Sequence, residues 1–69
     1  MPDSTYKIIE LVGTSDDSWE QATRNAIQKA SESLHDMRIA EVVQQDVTIE
    51  NGKIQKFRTR LSVSFKYQK

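Results

Sequence analysis

The chain has 69 residues, of which 36% are hydrophobic, and its ten basic and ten acidic residues give a formal net charge of zero. A chain this short permits one domain, residues 1–69, with a small core. Without cysteine there is no disulfide or thiolate metal site, and a single histidine disfavours a protein-only zinc site. Balanced charge disfavours a dedicated nucleic-acid binder, and no apolar run is long enough to span a bilayer.

The first segment of the chain predicts a short tail followed by a strand. Residues 1–4 are polar and lack a signal-peptide pattern, so we expect a flexible tail and a cytoplasmic location. Residues 6–12 are rich in β-branched and aromatic side chains, as strands are. Gly13 opens the polar segment 13–17 and is expected to supply the backbone freedom of a sharp turn.

A helix is predicted over residues 17–37. Its start has two candidate caps: Ser15, or Asp17 with Glu20 closing a reciprocal bond three residues later. Three of its apolar residues are alanines, which let a sheet approach closely. The apolar residues recur at steps of three and four and form one stripe: Trp19, Ala22, Ala26, Ala30, Leu34 and Met37.

Two further strands are predicted over residues 38–49 and 54–67. Asn51 and Gly52 between them are typical of a tight hairpin turn, because both tolerate positive φ. The last strand alternates, with apolar or small side chains on one face and polar ones on the other. The predicted fold class is therefore α+β, with the order β-α-β-β and a three-stranded antiparallel sheet around one helix.

This architecture predicts self-association. One sheet face covers the helix, while the other face and the edges have no partner within the chain. A thin three-stranded sheet of this kind is marginally stable alone. Symmetric packing of several copies covers such surfaces, either for stability only or for function.

The sequence shows no set of residues typical of catalysis. There is no cysteine nucleophile, and His35 is interpreted as a charge near the end of the predicted helix. Residues 13–15 precede a helix, as anion sites do, but Asp16 and Asp17 would repel phosphate, so a capped turn is the preferred interpretation. We expect a protein that is not an enzyme.

Two acidic clusters are candidate cation sites, because calcium prefers oxygen ligands. Asp16, Asp17 and Glu20 form the first, which also doubles as a helix start, and Asp46, Glu50 and Asn51 form the second. Trp19 lies on the apolar stripe and is interpreted as a packing residue. A basic row on the last strand is expected to be solvated, to contact a phosphate, or to pair with Glu41 or Glu10 of another copy: Arg58, Arg60 and Lys66.

The sequence resembles the dodecin family over nearly its whole length. The resemblance is carried by four stretches: YKIIELVGTS at residues 6–15, SWEQA at 18–22, RIAEVVQQDV at 38–47 and LSVSFKY at 61–67. It implies a β-α-β-β fold with a bent sheet wrapping its helix, assembled as a hollow homododecamer. It also implies a binding and storage role, because many dodecins bind riboflavin or FMN without catalysis.

Carrying the flavin site onto this chain exposes two departures. The family's stacking tryptophan is replaced by Ile39, and the glutamine that binds the ring edge is replaced by Arg58. The resemblance then implies an altered flavin pocket, with Ile39 as an apolar wall, Arg58 as an edge donor and Gln44 as a further polar contact. Isoleucine has no π face, and losing a stacking term weakens binding by about ten- to hundredfold.

A branch of the family lacks the stacking tryptophan, and one such type is described as a calcium dodecin. This chain resembles it around residues 18–20. Two functions are therefore expected to compete: small-ligand storage with flavin in an altered pocket, and a flavin-free shell that binds calcium or is purely structural. For the second function, the candidate metal ligands are Asp16, Asp17 and Glu20.

Overall fold

The computed structural model describes residues 5–66. They form three strands and one helix in the order β1 (Tyr6–Ser15), α1 (Trp19–Ala30), β2 (Met37–Glu50) and β3 (Lys53–Lys66). The predicted β-α-β-β order is confirmed. No helix in this part of the chain is long and apolar enough to cross a membrane.

The sheet is antiparallel, and the last strand lies in its centre, in the order β1-β3-β2. The predicted alternation along β3 is confirmed, since Thr59, Leu61 and Val63 are fully buried under the helix while Arg60 is exposed. Tyr67, which the alternation also included, lies outside the described residues. The central position of β3 places its apolar face at the middle of the core.

The turn between β2 and β3 has the predicted conformation. Asn51 and Gly52 have φ values of 54° and 76°, the left-handed values that a two-residue hairpin turn requires. Glu50 and Lys53 pair directly on either side of it. The Asn-Gly pair therefore fixes where this hairpin reverses.

The helix is shorter than predicted at its C-terminus. It ends at Ala30, and successive turns follow, in which Ser31 Oγ donates a hydrogen bond to the Gln28 carbonyl. Serine competes with helical hydrogen bonding in this way, and Asp36 then adopts a left-handed φ of 62° that redirects the chain. The placement of His35 at a helix end is consequently wrong, because it lies five residues beyond the helix.

Neither predicted cap begins the helix. Ser18 is the N-cap, and its Oγ accepts a hydrogen bond from the Gln21 amide at 3.0 Å. The hydroxyl of Ser15 instead accepts from the Asp17 amide at 2.9 Å and stabilises the turn that leads into the helix. The start is displaced because β1 continues to Ser15, which leaves three residues for the turn.

Gly13 lies within β1, so its predicted role in a sharp turn is wrong. Its role is close approach: a Cβ there would lie 2.1 Å from the Ala22 carbonyl oxygen and 2.8 Å from the Ala26 Cβ. The alanine stripe faces the sheet as predicted, with Ala22, Ala26 and Ala30 buried. The helix packs on β1 and β3, where Leu61 and Val63 complete the core.

Replacing Gly13 with alanine is expected to destabilise the protein by about 1–3 kcal/mol, because overpacking forces backbone atoms apart. Thermal unfolding followed by circular dichroism at one fixed protein concentration measures the loss. Gly52→Asn is the control, since position 52 is open and asparagine tolerates its positive φ. Equal unfolding temperatures for Gly13→Ala and the unsubstituted protein would contradict the close-approach role.

Candidate functional site

The start of α1 is joined to the β2–β3 hairpin through Trp19. Its ring meets Phe57 edge-on, with centroids 5.2 Å apart, and its Nε1 donates to the Asp46 carbonyl at 2.9 Å. The backbone carbonyl of Trp19 accepts from Thr59 Oγ1 at 3.2 Å. These contacts confirm the prediction that Trp19 is a packing residue, and they hold the hairpin against the helix start.

Beside this junction, Arg58 and Asp46 form a two-point ion pair across the strands. Arg58 Nε and Nη2 donate to the two carboxylate oxygens at 2.7 and 2.9 Å. The hydrogen bonds from Arg58 hold the pKa of Asp46 below its ordinary value, and the same bonds raise the pKa of Arg58. Arg58 thus donates from two of its three nitrogens to its own chain.

The other proposed flavin contacts lie at different distances from Arg58. Gln44 pairs with Arg60, two residues along β3 from Arg58, so it is a near neighbour. Ile39 pairs with Ser64, six residues along β3 from Arg58, a separation of about 20 Å. A small ligand that contacts both Ile39 and Arg58 therefore has to take them from two different copies of the chain.

The first acidic cluster surrounds the start of α1. The carboxylate of Asp16 forms an ion pair with Lys56 at 2.7 Å, and that of Glu20 forms one with Arg24 at 3.1 Å. Asp17 donates its backbone amide to Ser15 and lies exposed in the same turn. Within residues 5–66, no group of three or more acidic or histidine side chains converges on one point.

The side chains of the second acidic cluster also lie in separate places. Asp46 is held by Arg58, whereas Glu50 and Asn51 lie at the exposed hairpin turn. In the basic row, Arg60 lies 3.7 Å from Glu10 of its own chain. The expectation that Glu10 pairs with another copy is therefore wrong for this contact, because β1 and β3 are neighbours in the sheet.

Sequence reasoning did not join Asp46 to Arg58. Counting outward from the Glu50–Lys53 pair would place Asp46 opposite Phe57, whereas the observed partner is Arg58. An irregularity between Thr48 and Ile49 shifts the register by one residue. The sequence did offer one signal. Asp46 and Arg58 carry opposite charges on the two strands of the predicted hairpin, and they lie one residue from the pairing that the turn predicts.

Comparisons of the sequence and of the fold with known proteins point to one family. The dodecin family model matches residues 5–68. The chain belongs to the dodecin family. It is 48% identical over 64 residues to calcium dodecin of Mycobacterium tuberculosis, covering 91% of this chain and 89% of that protein.

Solved structures agree on the dodecin fold. Dodecin from Streptomyces coelicolor superposes with a TM-score of 0.93 at 36% identity, over 100% of this chain and 99% of that one. The calcium-chelating immunodominant antigen of M. tuberculosis, a calcium dodecin described with a novel calcium-binding site, has a TM-score of 0.83 at 47% identity, covering 94% of this chain and 93% of that one.

The Arg58–Asp46 pair predicts a pH-dependent contribution to stability in this dodecin. Because the folded pKa of Asp46 is lowered, the contribution is present above the ordinary carboxyl pKa of 3.8 and is lost as the pH falls through the folded value. Asp46→Asn is therefore expected to lower the unfolding temperature at pH 7, with a difference that closes in acid.

Thermal unfolding of protein that has been treated with chelator and desalted, at several pH values, measures this effect in the absence of added metal ions. Glu41→Gln is the control, because Glu41 is an exposed carboxylate on the same strand. A constant difference between Asp46→Asn and the unsubstituted protein down to pH 2 would show that the ion pair is not its cause.

Proposed function

We propose that this dodecin is a non-enzymatic calcium-binding protein that works as a homo-oligomeric shell, a dodecamer in the family's manner. The observation that carries the proposal is the 48% identity to calcium dodecin over 91% of the chain. A solved calcium dodecin with the same fold at 47% identity supports it. Membership of the dodecin family, whose members are small binding proteins, supports binding rather than catalysis.

Asp16, Asp17 and Glu20 are the proposed calcium ligands. All three carboxylates are exposed on one turn and the helix start that follows it, where an ion from solvent can reach them. Calcium takes six to eight oxygen ligands, more than these side chains supply. Water and oxygen atoms from a second copy complete the coordination in this proposal, which links calcium binding to assembly.

The shape of the chain supports the assembly. Its extents are 54 × 21 × 15 Å, and its radius of gyration is 14.4 Å, against about 11 Å for a compact domain of this length. The helix covers β1 and β3 but leaves β2, whose Val42 and Val43 are about half exposed. Packing of identical copies removes this apolar surface from water.

Flavin binding is the second candidate function. The observation in its favour is an exposed apolar pair on the outer sheet face, where Ile8 and Ile39 flank Ser64 and are 63% and 67% exposed. The side chain of Ile39 provides an apolar wall without an aromatic face. The ion pair holds the guanidinium of Arg58 against Asp46 through Nε and Nη2, so its remaining N–H donors are the ones that can meet a flavin edge.

Calcium binding is tested by isothermal titration of the chelator-treated protein with calcium chloride. Asp17→Asn is expected to weaken binding by about tenfold or more, since it removes ligand charge. Glu41→Gln is the matched control and should bind as the unsubstituted protein does. Loss of binding in the control alone would move the ligands elsewhere, and the absence of binding by the unsubstituted protein would refute the calcium function.

Flavin binding is tested by the quenching of riboflavin fluorescence. Ile39→Trp restores an aromatic face and is expected to tighten binding by about ten- to hundredfold. Arg58 is kept, because Arg58→Gln would leave Asp46 without its ion-pair partner. Ile8→Trp, which adds the same side chain on the other side of Ser64, is the control. An assembled Ile39→Trp protein with no gain would show that position 39 does not face a flavin.

A further inference from the structure

An open groove of about 630 Å³ lies between the C-terminal half of α1 and β1. Its walls are mostly apolar, and no other element of the described chain covers it. The charged residues on its rim are Lys29 and Glu32, which are largely exposed and 3.5 Å apart. The apolar residues that line it are Ile9, Leu11, Val12, Ala26, Ala30 and Leu34.

A second exposed apolar feature lies at the tip of the β2–β3 hairpin. Ile49 and Ile54 pair directly across the strands, and they are 67% and 59% exposed. Leu11 in the groove pairs with Leu61, which is seven residues from Ile54 along β3, a separation of about 23 Å. The tip of one chain therefore does not reach the groove of the same chain.

Both features carry one charge of each sign at their edges. The hairpin tip carries Glu50 and Lys53 beside its two isoleucines, one charge of each sign. The groove rim carries Lys29 and Glu32, again one of each sign. A tip entering the groove can place Glu50 beside Lys29 and Lys53 beside Glu32, while Ile49 and Ile54 meet the apolar walls.

We propose that the hairpin tip of one copy inserts into the α1–β1 groove of the next copy. This inference rests on the proposed self-association and specifies the surfaces that produce it. Each chain has one tip and one groove, so the contact joins different surfaces and continues from copy to copy until the arrangement closes. It also accounts for two apolar side chains placed far from the core of their own chain.

The absence of cysteine in the sequence allows a direct cross-linking test. A double variant, Ile54→Cys with Leu34→Cys, is oxidised and run on a non-reducing gel. A disulfide requires Cα atoms within about 7 Å, and the separation within one chain prevents an internal bond. Each bond forms when two thiols release two protons to solvent and two electrons to copper(II) phenanthroline, which dissolved oxygen reoxidises.

The proposal predicts a ladder of covalent species that starts at the dimer and ends at the number of copies in one closed ring of contacts. Each single variant can form dimers at most. The control is Ile54→Cys with Gln28→Cys, because Gln28 is exposed near the end of α1, six residues before Leu34, but does not line the groove. A ladder of equal strength in the control, or the absence of a ladder in the double variant, would overturn the proposal.

Native mass spectrometry of two further variants provides a second test. Ile54→Lys is expected to abolish assembly at concentrations where the unsubstituted protein is assembled, whereas Ile54→Leu should preserve it. If Ile54→Lys assembles normally, the tip–groove contact is wrong while the proposed shell stands. If the unsubstituted protein is a monomer, both the shell and this contact are wrong.

Discussion

The close contact between α1 and β1 determines how much of this small chain can be buried. Gly13 has no side chain at the point where the Ala22 carbonyl and the Ala26 methyl group approach it. A helix face of alanines brings the layers together but contributes little apolar area per residue. The core is consequently limited to a few aliphatic side chains, with Leu61 and Val63 at its centre. The same contact fixes the helix over β1 and β3, so the part of β2 that carries Val42 and Val43 has no covering layer.

The exposed part of β2 leaves apolar surface of the individual chain in water. The strand satisfies its backbone hydrogen bonds on one side through β3, but its apolar side chains remain in water, as Val42 and Val43 show. A chain without disulfides or a large core gains most from burying such surface against identical copies. The calcium proposal has the same requirement, because one chain does not gather enough carboxylates. The proposed assembly and the proposed ion binding therefore both require contacts that only a second copy can supply.

Local sequence patterns predicted the helix and strands more accurately than they predicted which residues pair across strands. Asn51 and Gly52 determine the hairpin because the turn needs positive φ at two adjacent residues. The helix end was misplaced because Leu34 and Met37 continue the apolar spacing after the backbone has left the helix, and both still pack near the core side. The Asp46–Arg58 pair was not predicted because a one-residue irregularity in register leaves no mark in a single sequence.

The ion pairs of the candidate site differ in how easily a ligand can replace them. Lys56 and Arg24 hold Asp16 and Glu20 through single contacts between exposed side chains, which contribute little to stability. A divalent ion can displace such partners at small cost because it brings more charge to the same carboxylates. Arg58 instead binds Asp46 at two points, next to the carbonyl that Trp19 fixes. This contrast favours an ion at the helix start over a planar ring at Arg58.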